Sequence, residues 1–377
     1  MNEQSDAPAA PGADRRPSGD PRRGGAPVSL LEERYRYWLR LLPASYRAER
    51  EEEMVAVFLE GSPDVSDADG PRPRWSEIAS VAALAVRVRL GGAGATPRSL
   101  SWGETVRLVA LLGLLFQAFL AVLTVAAALN TYGVIGTADP SLAQVAGPLG
   151  SVERLANILR SLAGAVWIAP FVALVLGHVR TAKALALLAF AAELYILADP
   201  AGRDPFEALA RSLMPVVVLS ALWTGFHRDV RPARRPRWLL VPPLAAGIAF
   251  DVLFRLVAAP DTPAWWWPWL DPLGLAGTLI LGAGIGYGYV HLRSPARRTP
   301  SWPLALAILA VPVLCARLAG LNHGFDAADE VSRIIMLGTL GQTALLLLVA
   351  LALAALGLPT LPAAQGPSPE PPRMTYP

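Results

Sequence analysis

The chain has 377 residues, of which 53% are hydrophobic and only 17% charged, a balance too apolar for an ordinary soluble protein of this length. Its net charge of +3 is small, and its arginines follow the loops between apolar runs, so the basic balance does not argue for direct nucleic-acid binding. The single cysteine, Cys315, excludes an intrachain disulfide and any cysteine-based zinc site.

Lys183 is the sole lysine among 33 basic residues, and Ala and Pro are abundant, a bias expected of GC-rich bacterial coding. Residues 1–28 are rich in Pro, Gly, Asp, Arg and Ala, which predicts a disordered tail. They contain no apolar h-region, so no cleaved signal peptide is expected. From Ser29 the pattern changes to helical. Ser29 and Glu32 form a capping box, and Leu31, Tyr35, Trp38 and Leu42 fall on one face. Pro43 interrupts the pattern. A second helix is expected from about Tyr46 to Glu60, with Met54, Val57 and Phe58 inward. A third runs from Trp75 to Leu90, with an apolar stripe through Ile78, Val81, Leu84, Ala85 and Val88. Residues 29–95 thus read as a small cytosolic helical domain.

Between residues 105 and 356 the apolar runs approach the roughly 17–25 residues that a helix needs to cross about 30 Å of hydrocarbon. We place eight spans, at 105–129, 158–178, 182–198, 211–226, 238–258, 269–290, 302–320 and 333–356. The short loop 227–237 carries five arginines, which assigns it to the cytoplasm. Arg180 with Lys183, and Arg293 with Arg297 and Arg298, mark two more cytoplasmic loops. Residues 259–268 and 321–332 have no basic residue and fall outside. The expected fold is therefore all-α, a polytopic transmembrane helix bundle of about eight spans in the plasma membrane with both termini cytoplasmic. A Pro-rich disordered tail is expected over 362–377.

Trp265, Trp266, Trp267 and Trp269 suit an outer aromatic belt at headgroup depth, with an external carbohydrate or lipid platform as the alternative. The glycines of the sixth span include the small-xxx-small pairs Gly282/Gly286 and Gly284/Gly288, which favour close helix packing over a phosphate loop because no Rossmann strand precedes them.

The ionisable residues singled out inside spans are Glu193, Asp251, Arg255 and Arg317. Each costs about 2.5–3.5 kcal/mol at mid-membrane, so each needs a partner or water. Asp251 and Arg255 stand at i, i+4 and can pair locally, which leaves Glu193 and Arg317 as an interhelical pair. Two readings follow. In one, these residues line an outward polar cavity for a small polar or anionic ligand, extended by Arg160, Arg211, Arg333, Asn157, Asn322 and His323. In the other they are structural ion pairs that hold the bundle. The four histidines are scattered, and no zinc motif, nucleophile elbow or Walker loop is present, so neither an enzyme nor a cofactor or metal site is expected.

The stretch YWLRLLPASYRAEREEEM at 37–54, with the later helix ending RVRL at 87–90, resembles the cytoplasmic helical prefix of many actinomycete membrane proteins, the HAAS and permease-prefix type of domain. Glu51 departs from the glycine of that pattern. The resemblance covers about residues 30–90 and implies a docking role, with a PadR-like regulator as the partner some members have. Arg47, Glu49, Arg50, Glu52 and Glu53 are the candidate partner-binding residues on this basis. Besides membrane lipids, a cytosolic regulatory protein is the expected partner. The two functional expectations are a non-enzymatic regulator or adaptor, and a secondary transporter or permease component.

Overall fold

The structure is a computed structural model, and it describes residues 29–61, 72–92, 95–132, 148, 150–197, 205–227, 235–257, 263–294, 299–321 and 329–361. The tails expected at 1–28 and 362–377 lie outside these residues. Every regular element described is helical. The chain divides into two compact units, residues 1–81 and 82–377. The boundary falls inside the third helix, earlier than the residue 95 at which the prefix was drawn.

In the first unit, α1 (Leu30–Leu39) and α2 (Ala44–Glu60) form a hairpin broken at Pro43. Ser29 caps α1 by accepting from the Glu32 amide at 3.1 Å. Leu31, Tyr35, Leu39 and Leu42 are the buried residues of this helix and its exit, so Leu39 takes the inward place expected of Trp38. The α2 register also differs from expectation. Val55 is buried and Phe58 stacks on Tyr35 at 3.9 Å, while Val57 is 65% exposed. Stacking Phe58 on Tyr35 turns the helix so that Val57 faces outward. Arg36 clamps the hairpin, donating to Glu32 at 3.0 Å and to both oxygens of Glu52 at 2.8 Å. α3 spans Trp75–Arg89, with Val81, Ala85 and Val88 buried.

In the second unit, α3 ends where Gly91, at φ +90°, lets the Gly92 amide reach back to the Arg87 carbonyl. Thr96 then caps α4 (Pro97–Thr131), whose Pro97 starts the helix without losing a needed donor. This helix of 35 residues begins well before the apolar run at 105. The expected second span is two helices, α5 (Val152–Ala165) and α6 (Ile168–Val175), separated at Val166 and Trp167. Gly177, at φ +86°, makes the tight turn into α7 (Val179–Leu197). Next come α8 (Pro205–Gly225), α9 (Val241–Val257), the short α10 (Trp267–Leu270), α11 (Pro272–Arg293), α12 (Ser301–Leu321) and α13 (Glu330–Gly357).

Among the described residues, six helical stretches are long and apolar enough to cross a membrane: Pro97–Thr131, Val152–Val175, Arg237–Arg255, Pro272–Arg293, Ser301–Leu321 and Glu330–Gly357. The third and fourth expected spans are helical but are not among them. α7 carries Arg180, Lys183 and Glu193, and the apolar part of α8 covers the 17 residues Leu209–Gly225.

α4 and α12 form the centre, and α8 packs on both. α9 lies on α4, and α13 on α12 and α11. Close approach depends on particular glycines. A Cβ at Gly113 would strike Val218, one at Gly247 would meet Val122 at 2.6 Å, and one at Gly284 would meet Val349 at 2.8 Å. Gly282, Gly286 and Gly288 face open space, so neither of the two expected glycine pairs is a packing seam. The glycines of α11 that face neighbours are Gly274, Gly277 and Gly284, one face at i, i+3 and i+10. Outward surfaces are apolar. Val152, Leu155, Leu159 and Leu162 form an exposed stripe on α5, and Leu337, Leu345, Leu348 and Leu351 are exposed on α13. Such surfaces fit hydrocarbon better than water.

Candidate functional site

Two polar sites are built into the apolar bundle, and they are separate. The first is centred on Arg317 of α12, only 6% exposed. Its Nη1 donates to Asp271 Oδ2 at 2.8 Å, and its Nη2 donates to Gln342 Oε1 at 2.7 Å and to the Pro268 carbonyl. Gln342, on α13, in turn donates to the Gly274 carbonyl at 3.0 Å and to Thr278 Oγ1 at 3.2 Å. Asp271 Oδ1 caps α11 by accepting from the Gly274 amide at 2.8 Å. One guanidinium therefore joins α12 to α10, α11 and α13 through charged and neutral acceptors together. Only Nε lacks a partner. Its three hydrogen bonds to the protein make this guanidinium a tie between these helices.

The second site surrounds Glu193 of α7. A cavity of about 220 Å³ opens between α4, α5, α6 and α7, lined among others by Gln117, Thr124, Gly164, Trp167 and Glu193. The break after α5 places Trp167 so that its indole N–H donates to Glu193 Oε2 at 3.1 Å. The Thr124 hydroxyl donates back to the Leu120 carbonyl at 3.0 Å, which leaves its lone pairs toward other donors. Gln117 is 7% exposed, and its amide makes no hydrogen bond within the described structure. This site holds one carboxylate and neutral acceptors, without a basic side chain in its lining.

Asp251 and Arg255 meet each other, with Arg255 Nε and Nη2 each donating at 3.0 Å. Their pair is closed within α9, and neither residue is a partner of Arg317 or lines the Glu193 cavity; the Arg255 side chain is 40% exposed. Glu193 and Arg317 do not pair. Each finds its partner on nearer elements, Trp167 for Glu193 and Asp271 with Gln342 for Arg317. The single outward cavity expected to unite Glu193, Asp251, Arg255 and Arg317 is therefore three places. Asn322 and His323 lie outside the described residues, as does the Arg160 side chain.

On the first unit, Glu52 is engaged by Arg36, which holds its carboxyl below the usual carboxylate range. Arg50 lies over the Tyr46 ring at 5.7 Å. Arg47 Nε is buried without a hydrogen-bond partner, while Glu49 and Glu53 are exposed. Glu49, Glu53, Val57 and Glu60 form one exposed stripe along α2.

Reasoning from charges missed Gln117, Gln342, Trp167 and the Pro268 carbonyl, because none of them is ionisable. Asp271, the N-cap of α11, was not singled out in the sequence either, since nothing local marks it as the partner of a distant arginine. Among the described residues, no three His, Cys, Asp or Glu side chains are grouped to hold a metal ion. The fold is that of a helical protein with several helices long and apolar enough to cross a membrane. Comparison with known protein families, curated proteins and solved structures finds no match to this chain.

Proposed function

We propose that the chain is a non-enzymatic regulator or adaptor of the bacterial plasma membrane, in which the N-terminal unit docks a cytosolic protein. The observation that carries this reading is the exposed stripe Glu49, Glu53, Val57 and Glu60 on α2, an apolar side chain set among carboxylates on a separately compact unit. It suits a partner with an apolar contact rimmed by basic groups. Resemblance to the HAAS type of prefix supports a PadR-like regulator as that partner. Within this reading the bundle has eight spans, with α7 and α8 as the third and fourth, and both termini face the cytoplasm. The distribution of arginines supports that orientation.

The experiment is copurification in mild detergent from native membranes. A cytosolic protein bound to the full chain is expected to be lost from a version lacking residues 1–95 and from the triple variant Glu49→Lys, Glu53→Lys, Val57→Asp. A partner retained by the triple variant removes the α2 stripe from the reading.

A second reading, a secondary transporter or permease component, is favoured by one observation: the Glu193 carboxylate faces a cavity rather than a basic partner. The satisfied state of Arg317 and the self-pairing of Asp251 and Arg255 weigh against a longer charged path.

A further inference from the structure

We propose that the cavity between α4, α5, α6 and α7 binds the ammonium group of a small organic amine, with Glu193 as its counter-ion. This names a ligand for the site on which the second reading rests, but it requires binding only, not transport.

A half-buried carboxylate set among apolar helices needs compensation, and the indole of Trp167 supplies one neutral hydrogen bond to Oε2. No arginine or lysine among the described residues forms an ion pair with Glu193. The second carboxylate oxygen is left to accept. Gln117 is more than nine-tenths buried, lines the same cavity and makes no hydrogen bond, so its amide is left to meet a ligand there. Thr124 has already given its proton to Leu120 and can only accept. Glu193, Thr124 and the carbonyl end of the Gln117 amide can each offer an acceptor oxygen, matching the three N–H donors of a primary ammonium.

Charge excludes the opposite class. An anion would meet a carboxylate and no basic group in the lining. A divalent metal ion takes six or more oxygen ligands or several anionic ones, and a single carboxylate does not provide them. The volume of about 220 Å³ lies below the roughly 300–1,000 Å³ of sites for drug-sized ligands, so the amine is small. Gly164 keeps the space open. A Cβ there would touch Thr124 at 3.5 Å, an ordinary contact, so a branched side chain at this position would occupy the cavity without displacing the backbone.

The test uses the full-length protein in phosphatidylcholine nanodiscs, titrated calorimetrically with ethylammonium, ethanol and acetate. Saturable binding of ethylammonium alone is expected, at one site per chain. Glu193→Gln retains an acceptor for Trp167 and is expected to weaken binding at least tenfold. Gly164→Val is expected to weaken it similarly while leaving every polar group in place. Absence of saturable ethylammonium binding, equal binding of ethanol, or undiminished binding by both variants overturns the proposal. Nanodiscs containing phosphatidylethanolamine separate two sources of the ammonium group. A loss of apparent affinity there identifies the lipid headgroup as occupant, and unchanged affinity identifies a soluble amine. Failure of transport assays alone would remove the second reading and leave this site standing.

Discussion

Asp271 divides its two carboxylate oxygens between two tasks: Oδ2 accepts from Arg317 at 2.8 Å, and Oδ1 caps α11 through the Gly274 amide at 2.8 Å. The charge and the cap can be separated by substitution. Asp271→Asn keeps a capping oxygen but leaves Arg317 without its counter-charge. The Asp271 side chain is 38% exposed, so the main cost is one lost charged acceptor for a buried guanidinium, about 1–3 kcal/mol. Asp271→Ala adds the loss of the cap, about 1 kcal/mol more. Thermal or denaturant unfolding in detergent micelles should rank them wild type, Asn, Ala in falling stability. Equal stability of all three would mean that the Arg317 cluster does not hold α12 to α11.

The open and closed faces of α11 predict opposite responses to the same change. A Cβ at Gly284 meets Val349 at 2.8 Å, so Gly284→Ala is expected to destabilise by about 1–3 kcal/mol through overpacking. Gly282 meets nothing within 4 Å, so Gly282→Ala should gain up to about 1 kcal/mol of helix propensity. Melting temperatures of the two variants in the same detergent decide it.

The hairpin of α1 and α2 carries its own pH dependence. Arg36 lowers the Glu52 pKa, so the stabilisation from this pair is present above the ordinary glutamate value and is lost as pH falls through the lowered one. Burial raises the Tyr35 phenol, so its contribution is present below the ordinary tyrosine value of about 10 and lost as pH rises through the raised one. Between those limits amide exchange in residues 30–60, corrected for intrinsic rates, should show constant protection. Protection should fall below about pH 4. Glu52→Gln should remove most of the acid-side change, and a profile indifferent to that substitution would exclude Glu52 as its origin.

Orientation is open to a direct chemical reading. In a Cys315→Ala background, Arg237→Cys and Pro263→Cys lie at opposite ends of the stretch Arg237–Arg255 and its continuation to Val257. A membrane-impermeant maleimide added to intact cells should label the cysteine at 263 and not the one at 237. The reverse pattern would invert the topology drawn from the arginines.

Much of the fold was legible from the residues. Run lengths, Pro43 and the Ser29 cap each act within a few residues, so they can be read without knowing the tertiary arrangement. The inward face of α2 was not, since Val55 and Val57 are alike locally and only the stack of Phe58 on Tyr35 chooses between them. The same holds for polar partners. Pairing Glu193 with Arg317 followed from charge balance, yet Arg317 finds Asp271 and Gln342, and Glu193 accepts from the Trp167 indole. Spacing along a chain does not reveal which amide or carbonyl packing will bring beside a buried charge.

The self-paired Asp251 and Arg255 on α9 bear on biogenesis. Only 11% of the apolar stretch Arg237–Arg255 is buried inside the protein, and its charged pair is closed within one helical turn. Such a helix needs no other segment to enter lipid, so it can leave the insertion machinery alone and associate with α4 afterwards. Arg317 has no such freedom, because Asp271 and Gln342 reach the ribosome exit on opposite sides of it. α12 must wait for α13 to be made before its guanidinium is fully compensated, which makes the last helix the step that commits the bundle to its final arrangement.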